Sequence, residues 1–318
     1  MDKLSNKRVA ILVPCYNEAL TIAAIVRDFR ACLPQAQVYV FDNNSTDGTA
    51  PIAREAGAIV RNVTAQGKGS VVRRMFADIE ADAYVMVDGD DTYDASVAPQ
   101  LVEQLFREGL DMVVGNRVST EQDAYRPGHR FGNALLTGCV SFIFGRTFTD
   151  ILSGYRVFSQ RYVKSFAAHS AGFEIETELT VHALALRMPV AEVSTVYKSR
   201  PEGSVSKLNT YRDGLRILTT IFRLFKSERP LAFFSIGAGA AALLALALAE
   251  PLVETYLHTG LVPRLPTATL CASLMLFGLI LLACGVILDA LTKGRIEQKR
   301  FAYLAQPAPS LAPPPARG

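Results

Sequence analysis

Two uncharged stretches near the carboxyl end constrain this chain more than anything else in it. Leu231 to Ala249 and Thr267 to Leu288 contain no Asp, Glu, Lys or Arg, and about twenty apolar residues rising about 1.5 Å each suffice to cross roughly 30 Å of hydrocarbon. Lipid offers the backbone no hydrogen-bond partners, so such stretches must be helical. Between them, Glu250 to Pro266 holds only Arg264 among basic residues, whereas Arg223, Lys226 and Arg229 precede the pair and Lys293, Arg295, Lys299 and Arg300 follow it. That asymmetry predicts a hairpin with both flanks in the cytoplasm. The reading is an integral protein of the inner or plasma membrane, with a transmembrane hairpin over 230–290 that spans at 231–249 and 267–288. A basic, proline-rich cytoplasmic tail over 291–318 follows, disordered beyond Ala305. Two buried helices of a soluble core are the competing reading.

Just before the hairpin, Leu215, Leu218, Ile221, Phe222 and Phe225 fall on one helical face and Arg212, Arg216, Arg223 and Lys226 on the other. This is the pattern of a basic amphipathic helix lying in the membrane interface over 211–229, and a core helix would look similar. The region 1–210 has a different character and reads as one cytoplasmic domain. Its start, Met1 to Arg8, is polar and leads into no long apolar run, which argues against a signal or transit peptide. Five cysteines without Cys-x-x-Cys spacing read as structural thiols. A net charge of +3, with no basic run interleaved with aromatics, is too small to suggest nucleic-acid binding.

Within that domain, apolar runs of strand length at Val9–Val13, Val38–Phe41, Ala58–Val60, Tyr84–Val87 and Met112–Val114 alternate with helical patterns. The helical residues are Leu20 to Phe29, Val71 to Ile79 and Val97 to Phe106, with a further helix predicted at Glu174–Leu186. Such alternation predicts an α/β fold with a mostly parallel, Rossmann-like sheet flanked by helices. Ligands of such sheets sit at the carboxyl ends of the strands. The polar segments there are Pro14–Glu18, Asp42–Thr49 and Asp88–Asp91.

Asp88-Gly89-Asp90-Asp91 offers closely spaced carboxylates that suit a hard cation such as Mg2+ or Mn2+ carrying a diphosphate. An EF-hand is excluded, because Tyr93 stands where its glycine belongs and Pro99 where its glutamate belongs. Asp42 could accept hydrogen bonds from a base or ribose, although many Asx turns share its setting. Gly67-Lys68-Gly69 opens a helix and could meet a phosphate, but it is not a Walker A loop. No Gly-x-Gly-x-x-Gly follows the first strand and no Gly-x-Ser-x-Gly is present, which counts against dinucleotide oxidoreductases and serine hydrolases.

Taken in order, these segments resemble the family 2 glycosyltransferases, and among them the dolichyl-phosphate mannose synthases and bacterial polyprenyl-phosphate glycosyltransferases. The resemblance covers roughly Arg8 to Gly214. It implies a GT-A fold, with nucleotide binding by Pro14, Tyr16, Asn17, Glu18, Asp42, Asp47, Gly67, Lys68 and Asp88. It implies Mg2+ or Mn2+ at Asp88, Asp90 and Asp91, and catalytic roles for Asp90, Arg117, Arg130 and Asp150. Ser153 and Arg156, in Asp150-Ile151-Leu152-Ser153-Gly154-Tyr155-Arg156, would meet the acceptor phosphate together with Arg200, Ser204 and Lys207. Asp91 departs from the apolar residue that the mannose synthases carry there, and Thr92 falls where some relatives place another metal ligand. The absence of tryptophan disfavours processive synthases, which use a Gln-x-x-Arg-Trp motif.

The implied reaction is an inverting transfer from a nucleotide sugar, UDP-linked by preference, to a polyprenyl phosphate. An ionised phosphate nucleophile requires no strong base, so the scarcity of suitable histidines is no obstacle. A GDP-mannose donor, a non-phosphorylated lipid acceptor and a non-catalytic membrane scaffold are the alternatives, and homo-oligomerisation is left open.

Overall fold

The computed structural model describes residues 4, 6–119, 137–138, 140–142, 148–167, 172, 174–198, 219–220 and 222–310. The chain divides into two compact units, one of residues 1–217 and 298–318 and one of residues 218–297.

The first unit is built on a seven-stranded sheet. In chain order it contains β1 (Val9–Cys15), α1 (Ile22–Cys32), β2 (Gln37–Asp42), α2 (Thr49–Glu55), β3 (Ile59–Asn62), α3 (Lys68–Asp78) and β4 (Ala83–Met86). A 3-10 turn at Ala95–Val97 leads into α4 (Ala98–Arg107), followed by β5 (Met112–Ser119), β6 (Arg156–Ser159), α5 (Gln160–Ser165), α6 (Ile175–Ala185) and β7 (Val190–Tyr197). The strand order is β3-β2-β1-β4-β6-β5-β7. β1 pairs in parallel with β2 and β4, β2 with β3, and β5 with β7. β6 runs antiparallel between β4 and β5. Reversing one strand leaves the carboxyl ends of β1, β2, β4 and β5 on one edge, where the motif loops emerge.

Packing explains the strand and helix placement. Ile11, Leu12, Val13, Val85, Val113 and Val157 are fully buried, as in a sheet covered on both faces. α1 closes one face with Ile22, Ile25, Val26 and Phe29, and α4 adds Leu101, Val102, Leu105 and Phe106. Burying each such aliphatic or aromatic side chain contributes roughly 1.5–3 kcal/mol.

The second unit contains α7 (Pro230–Thr259), and α8 (Leu265–Leu304) begins in it and runs on into the first. Both helices are long and apolar enough to cross a membrane, and only 6% and 11% of their most apolar windows are buried. That exposure distinguishes them from the core helices of a soluble domain. Small residues bring them together: Gly285 lies against Phe234 and Leu231, and Gly278 against Ala238 and Ala241. Both helices outrun the spans expected at 231–249 and 267–288. α7 ends where Gly260 adopts φ 69°, while α8 continues through its charged end, where Asp289 and Lys293 pair at 2.8 Å. The expected tail over 291–318 is therefore helical as far as Leu304. Of the expected interfacial helix at 211–229, residues 219–220 and 222–228 are helical and residues 211–218 lie outside the described residues.

Candidate active site

The loops after β1 and β2 are bound to each other. Asn17, at φ 52°, donates its N–H to Ser45 Oγ at 2.9 Å and accepts at Oδ1 from the Thr46 N–H at 2.8 Å. The Glu18 N–H donates to Thr49 Oγ1, and Asp47 accepts from the Ala19 N–H and from both the N–H and the hydroxyl of Thr49. Burial alone would raise the Asp47 carboxyl, but these hydrogen bonds from Thr49 and Ala19 hold it below the usual range. Asn17 and Asp47 thus brace the loops. Asp42 differs: it is 6% exposed, its Oδ2 accepts from the Ser45 N–H, and its buried Oδ1 has no protein partner. A buried carboxylate oxygen left without a donor is costly unless a ligand supplies one.

Asn43, beside it, carries the next loop. Its amide donates to the carbonyls of Val63 and Ala65 and accepts from the Gly67 N–H at 2.7 Å. Gly67 adopts φ 112°, which favours glycine, and the turn delivers Lys68 to the first position of α3. The Lys68 ammonium sits 2.5 Å from Asp88 Oδ1 and also pairs with Glu176 Oε1 from the first turn of α6. Burial works against its charge, and the two carboxylates more than reverse that, holding Lys68 protonated well above its usual range. For Glu176, 4% exposed, burial outweighs the opposing pull of Lys68 and raises the carboxyl.

The loop after β4 is packed closely from both sides. A Cβ on Gly89 would lie 2.8 Å from Cys15 Sγ, and one on Gly154 would collide with the Asp88 carboxylate. Thr21 Oγ1 donates to the Gly89 carbonyl at 2.6 Å. Asp90, 5% exposed, accepts at Oδ1 from the Thr92 hydroxyl at 2.7 Å. Asp91 turns through φ 56° and is raised by burial, partly offset by Lys198. Hard oxygens from Asp88 and Asp90 suit a divalent ion that keeps most of its coordination for water and diphosphate, the usual Mg2+ arrangement. No cage of three or more His, Cys, Asp or Glu residues exists among the described residues. The donor set fits an ion completed by its nucleotide.

At the end of β5, Arg117 forms a two-point pair with Asp150, Nε to Oδ2 at 2.6 Å and Nη2 to Oδ1 at 2.8 Å. Its guanidinium also lies 5.4 Å from the Tyr197 ring centre. Burial pushes Asp150 up, and the Arg117 hydrogen bonds and charge overcome it, leaving the carboxyl below its usual range. Glu192 of β7 accepts from the Thr149 N–H and hydroxyl and from the Asp150 N–H, so it fixes the segment that carries Asp150.

Two expected acceptor contacts are placed elsewhere. Arg156 is 0% exposed and donates to the carbonyls of Ser153 and Ile151 and to Thr180 Oγ1. Ser153 is also buried and donates to the Gly115 carbonyl at 2.6 Å. Both hold the Asp150–Arg156 segment in shape rather than face a ligand. Arg130, Arg200, Ser204 and Lys207 lie outside the described residues. Asn43, Glu176 and Glu192 were not singled out from sequence, and Thr92 proves to be a partner of Asp90. Only Glu176 carried a signal, and acidic residues in a first helical turn are too common to read as a site.

The family model described as Glycosyl transferase family 2 matches residues 10–166. Glycosyltransferase AglJ of Haloferax volcanii is 38% identical over 308 residues, covering 93% of this chain and 98% of that protein. The dolichyl-phosphate hexose transferase of the same organism is 27% identical over 231 residues, 72% of this chain and 99% of its own. Glucosyl-3-phosphoglycerate synthase from Mycobacterium tuberculosis, solved with Mn2+, UDP-glucose and phosphoglyceric acid, superposes with a TM-score of 0.55 at 20% identity, over 70% of this chain and 81% of that one. This last likeness is one of fold.

Proposed function

Because the chain belongs to glycosyltransferase family 2, we propose that it transfers a hexose or N-acetylhexosamine from a UDP-linked donor to a polyprenyl phosphate, with inversion and with a divalent ion. The observation that carries this reading is the presence in one chain of a buried, unpartnered Asp42 oxygen at the strand edge and two exposed helices of membrane-spanning length. The first suits a nucleotide and the second an acceptor that does not leave the bilayer. Support for a lipid phosphate comes from the dolichyl-phosphate hexose transferase, matched over nearly its whole length. Support for UDP and Mn2+ comes from the ligands of the mycobacterial structure.

In this mechanism Asp42 receives a donor hydrogen from the base or ribose. Asp88 and Asp90 would hold Mg2+ or Mn2+, which would supply positive charge to the departing diphosphate. Thr92 keeps Asp90 turned to its task. Arg117, fixed by Asp150 and Tyr197, supplies a preorganised cation for the acceptor phosphate, together with Arg130, Arg200 and Lys207. A phosphate oxygen forms the new bond to the anomeric carbon as the bond from that carbon to the diphosphate oxygen breaks. The oxygen is already ionised, so no proton needs removing. The basic flanks of the hairpin support a cytoplasmic catalytic unit with both hairpin ends on that side.

The test incubates detergent-solubilised protein with undecaprenyl phosphate, Mg2+ or Mn2+ and a panel of nucleotide sugars, with product identified by mass spectrometry. A lipid-linked sugar formed from a UDP donor is expected. Product from GDP-mannose alone would move the assignment to a mannosyltransferase, and no product from any donor would overturn it.

A further inference from the structure

At the amino-terminal edge of the sheet, remote from the motif loops, Asp111 precedes β5 with its side chain completely buried. Four donors converge on that carboxylate. Ser159 Oγ donates to Oδ1 at 2.7 Å, Arg161 donates through Nε to Oδ1 and through Nη2 to Oδ2 at 3.0 Å, and the Tyr303 hydroxyl donates to Oδ2 at 2.8 Å. The Arg161 guanidinium lies 4.7 Å from the Tyr303 ring centre, so the same tyrosine is held by a hydrogen bond at its tip and a cation over its face. Tyr303 stands 192 residues beyond Asp111, in the last turn of α8. Further contacts extend the seat. The Pro309 carbonyl lies near Gly109, 4.0 Å from where a Cβ on that residue would stand, and Gly109 turns through φ 64° between α4 and β5. The charge of Lys299 also reaches His182 on α6, adding to burial, which holds that imidazole neutral.

The helix is thereby shared. As far as Glu297 it groups with the hairpin unit, and from Gln298 onward the chain groups with the catalytic unit. Nothing in the proposed chemistry uses these residues, and a buried carboxylate already satisfied by Arg161 and Ser159 does not need a tyrosine from so far along the chain. A surface that receives it in this way is built for that segment.

We propose that Gln298 to Pro309 is a latch, with Tyr303 seated in a socket of Asp111, Ser159 and Arg161, and that it gives the catalytic unit a second tether to the membrane hairpin. The first tether is the chain that enters the hairpin through residues 199–218. Two tethers raise the effective concentration of the site near the bilayer, as a second point of attachment does for any linked pair. The latch therefore matters for a membrane-embedded acceptor and not for the water-soluble donor. That functional half rests on the lipid-acceptor reading, whereas the latch itself does not.

The test uses full-length protein reconstituted in liposomes, as wild type, Tyr303→Phe and Tyr303→Ala. Asp111 keeps Arg161 and Ser159 in both variants, so the catalytic unit retains its fold. Limited trypsin digestion, with cleavage sites assigned by mass spectrometry, reads the latch directly. Cleavage after Lys299 and Arg300 should accelerate about tenfold in Tyr303→Ala and less in Tyr303→Phe, because proteolysis follows the opened population. Sugar transfer to undecaprenyl phosphate in the same liposomes should fall several-fold while binding of the UDP-sugar stays at the wild-type level. Unchanged cleavage in Tyr303→Ala overturns the latch, as does a wild-type protein that is dimeric and becomes monomeric in Tyr303→Ala, which would mean that the socket holds another copy's tail. Faster cleavage with undiminished transfer overturns its role in acceptor use. If wild-type protein transfers no sugar at all, the functional reading fails and the digestion still decides the latch.

Discussion

In the proposed mechanism Asp90 serves the donor and Glu192, through Asp150, the acceptor, so the two should fail differently when altered. Asp90→Ala removes a carboxylate that Thr92 orients within the loop proposed to hold the metal. Transfer should drop roughly a hundredfold to a thousandfold, the usual cost of losing one preorganised electrostatic group. Full activity in that variant, measured by radiolabelled sugar incorporation, would rule Asp90 out of the proposed metal site. Glu192→Gln loses a carboxylate that accepts from Thr149 and Asp150, and through Asp150 it should loosen Arg117. The apparent KM for the lipid phosphate should rise several-fold with donor binding unchanged, and steady-state kinetics at fixed donor would read that split. The positions of Asp42, Asp88 and Asp90 at strand ends, and of Lys68 at the start of α3, were legible from residue type and order. Glu192 was not legible. Its role depends on the register that sets it beside Val114 and on a loop 42 residues away, neither of which has a local signature. Arg156 misled for the converse reason, since a buried guanidinium that braces backbone carbonyls has the same sequence appearance as one that binds phosphate.

Among the elements, α6 carries a titration that should be visible in stability. His182 is buried edge-on against the rings of Tyr162 and Phe166 with its Nε2 against Ser165 Oγ, and burial lowers it to about 3. The unfolded chain takes up that proton near the ordinary value of 6.5. Stability from this group is therefore complete above about pH 6.5 and is lost progressively as pH falls towards 3, at a cost of about 2 kcal/mol by pH 5. Thermal unfolding of the detergent-solubilised protein should show the decline, and His182→Gln should flatten it. Strands β1 to β5 could be read from their apolar runs, but β6 and β7 could not. β6 has only four residues and begins with an arginine, and its burial comes from insertion between two strands that the chain had already laid down. β7 is only half-buried along most of its length, so no clean alternation marks it.

For the whole molecule, the uncharged stretches announced the hairpin, yet not where its helices stop. Hydropathy reports the portion that lipid must accept, whereas helix propensity and side-chain pairing carry α8 onward to the latch. The orientation can be tested with single cysteines. Val262→Cys, in the connection between α7 and α8, should react with a membrane-impermeant maleimide in intact cells, and Glu297→Cys should react only after permeabilisation. The reverse pattern would put the catalytic unit on the wrong side for a cytoplasmic nucleotide sugar.

The central claim is that an ionised lipid phosphate, not a lipid hydroxyl, attacks the donor sugar. The most direct measurement compares radiolabelled sugar transfer by the same purified protein to undecaprenyl phosphate and to undecaprenol under identical metal and donor conditions. Label should enter the lipid phase with the phosphate and stay at background with the alcohol. Equal incorporation into both would contradict the account.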